Sequence, residues 1–223
     1  MCHTGTTNTV PNAFSMLAFV LGDRDLGEEI SEEVKGVVTR TITDGVDYVK
    51  TDTTALVGEK CPTLESAYFE MLRLDVSATS VRVMTEDLTL NEKYHLAKGG
   101  IVQIAAGAMH ESNKVWGDDV DVYNGRRFLS KNLTSEQKKN LLPFGGGKHL
   151  CPGRHLAQTE IMSFAAMVLY GFEVKLRDGS GLVKHPGFEV PSLGQNSKKP
   201  VHDVEVLIKR KEEFRDVVWV FEV

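Results

Sequence analysis

The sequence predicts a mainly α-helical fold with a minor β component, an α+β class in which helices predominate. Two observations support this prediction. Apolar residues recur at helical spacing in several long segments, and short runs rich in β-branched residues lie between turn-forming residues. The chain has 223 residues, of which 41% are hydrophobic and 26% charged, a balance that is sufficient to fill a core.

Four helices are expected from this periodicity, over Pro11–Leu21, Leu26–Thr41, Pro62–Leu74 and Pro152–Tyr170. The first places Phe14, Leu17 and Leu21 on one face and ends at Gly22. The second carries acidic residues early and Lys35 late, as the helix dipole favours.

Strands are expected over Val81–Met84, Ile101–Ile104, Asp203–Ile208 and Val217–Phe221. Between the first two and the last two, the segment from Met109 to Phe144 is rich in Asp, Asn, Gly and Lys and predicts an irregular connection. A connection of that length indicates a functional loop or a meander packed against the rest of the fold.

Composition excludes several classes of protein. The formal net charge of −5 provides no basic surplus to neutralise phosphates, so nucleic acid is not an expected partner. The three cysteines, Cys2, Cys61 and Cys151, show no paired spacing, which argues against a disulfide framework and favours a reducing compartment. We expect no signal peptide and no membrane span in these residues, because neither a leader pattern nor a sufficiently long apolar run is present.

The strongest chemical signal is a glycine-rich loop that ends in a single cysteine. Gly145, Gly146 and Gly147 allow the backbone to approach a flat ligand closely, and Cys151 follows at the start of a predicted helix. Pro152 suits the first turn of that helix, whose dipole would stabilise a thiolate. His149 could donate to an anionic group of the ligand.

The loop also has three alternative interpretations. A phosphate cradle requires Ser or Thr after Lys148 and a glycine at the position of Leu142, and neither is present. Zinc could bind Cys151 and His155, although no second pair with ligand spacing follows. An inert core cysteine is the usual reading of an isolated cysteine, but it does not fit one flanked by glycines and a proline.

The loop resembles the cysteine signature of the cytochrome P450 family. The matching positions are Phe144, Gly147, His149, Cys151, Gly153 and Ala157. The resemblance implies that these residues bind haem b (iron protoporphyrin IX) and that Cys151 is its axial thiolate and metal ligand, which favours O–O cleavage.

Two further segments match the same family. Glu70 and Arg73 on the third predicted helix resemble its Glu-x-x-Arg motif, and the resemblance implies that Arg127 completes a buried structural triad with them. Gly125 departs from the family pattern, which often has proline there. Arg82 matches a basic residue that contacts a haem propionate, although an ordinary edge-strand arginine is the alternative.

Residues 5–9 resemble the oxygen-binding segment of the family's long central helix. Thr9 would then be the hydroxyl that helps to deliver protons to bound dioxygen. Asn8 stands where most members have an acid, which puts the usual acid–alcohol pair in doubt. The run from Asn8 to Pro11 resembles the branch that includes sterol 7α-hydroxylases and prostacyclin synthase.

The resemblance covers residues 1–223 and implies a single partial domain, the C-terminal portion of the family fold with its N-terminal half absent. The implied parent protein is a monooxygenase that inserts one atom of dioxygen into an apolar small molecule, with electrons from a reductase. The alternatives are a truncated, non-catalytic fragment and a haem-thiolate isomerase or dehydratase. A membrane link is expected only through the missing part, and a parent in the endoplasmic reticulum is what the resemblance implies for a eukaryote.

Overall fold

The computed structural model describes residues 3–129, 133–190 and 196–222. Its α-helices are α1 (His3–Leu21), α2 (Arg24–Lys35), α3 (Thr53–Leu56), α4 (Pro62–Asp75), α5 (Ala106–His110), α6 (Asn113–Trp116), α7 (Ser135–Asn140) and α8 (Arg154–Gly171). None of these helices combines the length and apolar character that a bilayer span requires.

Its strands are β1 (Val38–Thr43), β2 (Val46–Asp52), β3 (Thr79–Val83), β4 (Leu88–Leu90), β5 (Tyr94–Leu96), β6 (Ile101–Ala105), β7 (Phe172–Leu176), β8 (Val206–Arg210) and β9 (Val218–Glu222). Within the described ranges they form one sheet of order β1-β2-β9 and three antiparallel pairs, β3-β6, β4-β5 and β7-β8. More residues lie in helices than in strands, so the structure has the mixed α+β class that the sequence predicts.

The main core lies where α1, α2, α4 and α8 pack together. Its fully buried side chains include Met16, Val20, Leu26, Ile30, Leu64, Met71, Leu72, Ile161 and Met162. On α2 the buried residues are Leu26, Ile30 and Val34, which recur every fourth position as an amphipathic helix requires. This packing brings the N-terminal helix α1 against α8, the helix that follows the cysteine loop.

The second predicted helix is wrong in its last part. It ends at Lys35 with Gly36 as the cap, and β1 begins at Val38. The β-branched run of β1 favours a strand over a helix. Asp44 and Gly45 both have positive φ, 52° and 77°, as the hairpin turn to β2 requires.

Helix α1 begins at His3, whereas the sequence predicted a start at Pro11. Pro11 lies inside the helix instead of at its first turn. A proline in a helix interior removes one backbone hydrogen bond. The helix nevertheless continues past Pro11, and Met16, Ala18 and Val20 in its later turns are buried. Asn8, Thr9 and Val10 therefore lie within the helix and border the site described below.

Candidate functional site

The cysteine loop is closed by its own main-chain hydrogen bonds. The Cys151 N–H donates to the Phe144 carbonyl over 3.0 Å, and the Leu150 N–H donates to the Gly147 carbonyl over 3.3 Å. Gly145 and Gly147 have φ values of +74° and +64°, which residues with a Cβ rarely adopt. These contacts hold residues 144–151 as a compact turn.

Cys151 lies just before α8, three residues upstream of the helix start that the structure gives. The sequence predicted this helix from Pro152, whereas α8 begins at Arg154 with Gly153 as its cap. The Arg154 side chain and main-chain N–H both donate to the Cys151 carbonyl, over 3.2 and 3.4 Å. A Cβ at Gly153 would lie 3.9 Å from Cys151 Sγ, so glycine leaves the space beside the half-buried sulfur open.

Cys151 faces a large cavity of about 1290 Å³. Residues from α1, α4, α8, the cysteine loop, the start of β3 and the β7-β8 pair line it, among them Asn8, Thr9, Phe14, Leu17, Tyr68, Ser80, Phe144, Gly145, His149, Cys151, Gly153, Leu156, Ala157, Phe164, Val174, Val206 and Ile208. Several lining side chains are apolar yet exposed, such as Leu156 at 63% and Ile208 at 60%. An apolar, concave surface of this kind favours an apolar ligand.

The cavity suits the haem that the resemblance implies. Haem is largely apolar and takes its thiolate ligand from a single cysteine, and the cavity provides apolar walls and the Cys151 sulfur together. The part of the chain that the structure describes contains no group of three or more His, Cys, Asp or Glu side chains able to hold a metal ion. A single-donor cofactor therefore fits these residues better than a zinc ion, which needs three or four protein ligands.

Most of the candidate haem-binding residues border this cavity. Phe144, His149, Cys151, Gly153 and Ala157 are among its lining residues. Gly147 is not among the lining residues. It begins the short 3₁₀ turn that carries His149. It shapes the loop through its positive φ.

Arg82 also lies outside the residues that line the cavity. Its guanidinium donates to the neighbouring Val81 carbonyl over 2.8 Å. Ser80, two residues earlier on β3, does line the cavity, and residues two apart on a strand share a face. The Arg82 side chain thus lies on the same face of β3 as Ser80, two residues farther along the strand than the cavity wall.

Asn8 and Thr9 enter the cavity from α1, and both are half-buried. They line it from α1, which packs against α8. The structure therefore brings the two candidate catalytic residues and Cys151 into one cavity, although more than 140 residues separate them in the sequence.

Glu70, Arg73 and Arg127 meet in a buried ionic cluster. Arg73 binds Glu70 in a bidentate manner, with Nε and Nη2 each 2.8 Å from a carboxylate oxygen, and both side chains are fully buried. Arg127 Nε donates to Glu70 Oε1 over 3.0 Å. The Asn124 N–H donates to the same oxygen over 3.1 Å, so the carboxylate also fixes the main chain of the irregular segment.

The remaining donors of the two arginines hold that segment in place. Arg73 Nη1 donates to the carbonyls of His110 and Val120, over 3.0 and 2.6 Å. Arg127 binds Asp119 over 3.0 Å, and its hydrogen bond lowers the pKa of the Asp119 carboxyl. The cluster thus joins α4 to the segment that precedes the cysteine loop.

His110 is a contact that the sequence did not reveal. Its Nδ1–H donates to the Val76 carbonyl, and its Nε2 accepts the Leu142 N–H, each over 3.0 Å. Burial lowers the pKa of His110 to about 4, so the ring is neutral at neutral pH. It ties the start of the cysteine loop to the end of α4, and only the spatial proximity of two distant segments identifies it.

Comparisons with known proteins agree with this geometry. The family described as "Cytochrome P450" matches residues 1–203. A cytochrome P450 monooxygenase of Gibberella zeae is 39% identical over 205 residues, which is 86% of this chain and 37% of that protein. The cytochrome P450 monooxygenase nodJ of Hypoxylon pulicicidum is 30% identical over 97% of this chain and 43% of its own length.

A cholesterol 7-alpha-monooxygenase of Cricetulus griseus matches at lower identity, 27% over 92% of this chain and 42% of that protein. The chain thus spans less than half the length of each of these three relatives. The family match over most of the chain, and the coverage of the first two relatives, decide the assignment: this chain belongs to the cytochrome P450 family.

Proposed function

We propose that this chain provides the thiolate side of a haem monooxygenase site, which inserts one atom of dioxygen into an apolar organic substrate. The observation that carries the proposal is the position of Cys151, a half-buried thiol at the wall of a largely apolar cavity of about 1290 Å³. The names of the relatives from Gibberella zeae and Hypoxylon pulicicidum support the same reaction class.

Haem, when bound, supplies the redox chemistry that activates dioxygen, with electrons from a reductase partner. Cys151 would hold it through the sulfur, and the closed loop would orient that sulfur. Apolar side chains such as Phe14 and Phe164 would exclude water and hold the substrate. The Thr9 hydroxyl would transfer a proton within the cavity, with the neighbouring Asn8 amide as a neutral hydrogen-bond partner.

Arg82 and His149 would bind the anionic propionates of the cofactor. His149 lines the cavity and is exposed, and Arg82 extends along the strand face of Ser80. Charge-assisted hydrogen bonds of this type are roughly twice as strong as neutral ones. The two residues would therefore orient the cofactor without taking part in the reaction.

The test is the carbon monoxide difference spectrum of the chain after addition of haemin and reduction. We expect a strongly red-shifted Soret band, which Cys151→Ser abolishes. Cys61→Ser is the matched control, because burial raises the pKa of the Cys61 thiol to about 12 and keeps it protonated. A red-shifted band that survives in Cys151→Ser would refute the assignment of the ligand.

A haem-thiolate isomerase or dehydratase is the second candidate, and Asn8 is the residue that favours it. The acid that usually pairs with the alcohol is replaced by an amide, which cannot supply a proton. Turnover of a candidate apolar substrate under isotope-labelled dioxygen separates the two reactions. Label in the product indicates monooxygenation, whereas an isomerase incorporates none.

A further inference from the structure

Tyr68, a buried residue of α4, is unusual in the surroundings of its side-chain hydroxyl. Tyr68 is fully buried, and its hydroxyl has no hydrogen-bond partner within the described parts of the chain. Buried hydroxyls are nearly always paired, because water is lost without replacement when they are not. This exception indicates a partner that the haem-free protein does not supply.

Tyr68 shares the large cavity with Cys151. Both residues line it, Tyr68 from α4 and Cys151 from the loop before α8. Burial raises the pKa of the Tyr68 phenol, and the negative charge of a Cys151 thiolate raises it further. The hydroxyl therefore keeps its proton, and it lies within the electrostatic field of the sulfur.

The main chain from Leu150 to Pro152 offers the Cys151 sulfur no unpaired N–H group. The N–H of Cys151 is used by the Phe144 carbonyl, and that of Leu150 by the Gly147 carbonyl. The next residue is Pro152, which has no N–H. A thiolate accepts hydrogen bonds, so a side-chain donor on the cavity wall could donate one to the sulfur.

We propose that Tyr68 is a positioning residue whose hydroxyl donates a hydrogen bond to the Cys151 sulfur once haem is bound. The inference rests on the proposed function, since it requires Cys151 to be the axial ligand. A hydrogen bond to a ligating sulfur draws charge away from it and weakens its donation to the iron. Tyr68 thereby raises the reduction potential of the haem and steadies the sulfur in one orientation.

Tyr68→Phe is the direct test, because it removes the hydroxyl and keeps the packed ring. The matched control is Tyr123→Phe, which removes a hydroxyl that already donates to the Ala67 carbonyl over 3.2 Å, one residue from Tyr68 on the same helix. We expect Tyr68→Phe to lower the midpoint potential and the C–O stretching frequency of the reduced carbon monoxide complex. Tyr123→Phe should leave both at the wild-type values.

The outcomes separate this inference from the proposed function. A wild-type chain with the thiolate spectrum and a Tyr68→Phe variant with unchanged potential and C–O frequency would overturn the inference alone. A Tyr68→Phe variant that binds haem more weakly, with both signatures unchanged, would place the hydroxyl on a propionate and also overturn it. A missing thiolate spectrum in the wild type would instead count against the proposed function.

The haem-free chain provides an independent measurement. If the hydroxyl gains its partner only when haem is bound, Tyr68→Phe apoprotein should melt at or above the wild-type temperature, whereas Tyr123→Phe should melt below it. A Tyr68→Phe apoprotein that melts as low as Tyr123→Phe would show that the protein already pairs the hydroxyl. That result overturns the inference even if this chain takes up no haem.

Discussion

At the scale of single residues, burial changes the chemistry of several groups that the sequence presents as ordinary. Asp75, at the end of α4, is fully buried beside Ser15 and Lys198. Burial raises the pKa of its carboxyl to about 7, although hydrogen bonds from Ser15 and the Lys198 main chain and the charge of Lys198 act in the opposite direction. The acid is thus held protonated in the fold under conditions in which a free aspartate is ionised.

Asp75→Asn should therefore stabilise the protein in a pH-dependent way. The carboxyl ionises near 3.8 in the unfolded chain and near 7 in the fold, so its contribution is fully present below pH 3.8 and is lost as the pH rises through 7. We expect the variant to gain on the order of 3 kcal/mol in free energy of unfolding at pH 8 and little at pH 4. Urea titrations at the two pH values measure the difference.

Asp178→Asn is the control for this prediction. Asp178 is exposed, and hydrogen bonds from Ser180 lower the pKa of its carboxyl. Its contribution is therefore present at neutral pH and lost in acid, which is the opposite sign. An Asp75→Asn variant whose gain is the same at pH 4 and pH 8 would contradict the raised pKa.

At the level of elements, the ionic cluster on α4 anchors the irregular stretch between α6 and α7. Glu70 contacts Arg73, Arg127 and the main chain at Asn124, so one carboxylate joins a helix to a stretch with few regular hydrogen bonds of its own. Such a cluster is a weak source of net stability but is costly to break, because its charges are buried.

Glu70→Ala should destabilise the protein by about 3–5 kcal/mol, because it leaves Arg73 buried without a counter-ion. Glu32→Ala provides the comparison, since it removes an exposed pair with Lys35 that we expect to contribute less than about 1 kcal/mol. Chemical denaturation of both variants measures the difference. Equal and small effects would show that the Glu70 cluster is not a structural anchor.

Close packing explains why Gly125 departs from the family pattern. A Cβ at this position would clash with Leu26 Cδ2 and lie 3.1 Å from its Cδ1, and Leu26 is a fully buried residue of α2. The segment thus approaches α2 more closely than a proline or alanine would permit.

Gly125→Ala should accordingly cost about 1–3 kcal/mol in stability through overpacking. Gly27→Ala is the matched control. A Cβ on Gly27, which lies in α2, would be 3.6 Å from the Val20 carbonyl oxygen of α1, an ordinary van der Waals distance. Helix propensity favours that substitution by up to about 1 kcal/mol. Thermal unfolding should rank Gly27→Ala at or above the wild type and Gly125→Ala below it.

At the scale of the whole molecule, the site is assembled from segments that are far apart in the chain. The cavity takes walls from α1, the cysteine loop, α8 and the β7-β8 pair, and exposed apolar side chains such as Val10 and Ile208 border it. Packing of α1 against α4 and α8 determines its width. A change in that packing would alter the distance between Thr9 and Cys151 without touching either residue.

Local sequence patterns were sufficient to predict the features that depend on neighbouring residues. The glycines around Cys151, the Glu-x-x-Arg spacing and the helical periodicity of α4 and α8 are local patterns, and they sufficed for the fold class and for the family. The same reasoning failed at β1, because a β-branched run directly after a helix was read as its continuation. Local propensity is a weak guide where one element passes into the next.

Which distant side chains meet depends on the packing of the whole fold. Tyr68 looks like a core residue of an amphipathic helix, and Asp75 and His110 look like ordinary polar residues near helix ends. Their chemistry comes from desolvation and from groups more than 30 residues away. The charge of Cys151 acts on Tyr68, and the Leu142 N–H donates a hydrogen bond to His110. Desolvation is a property of the packed fold, so no pattern of neighbouring residues encodes it.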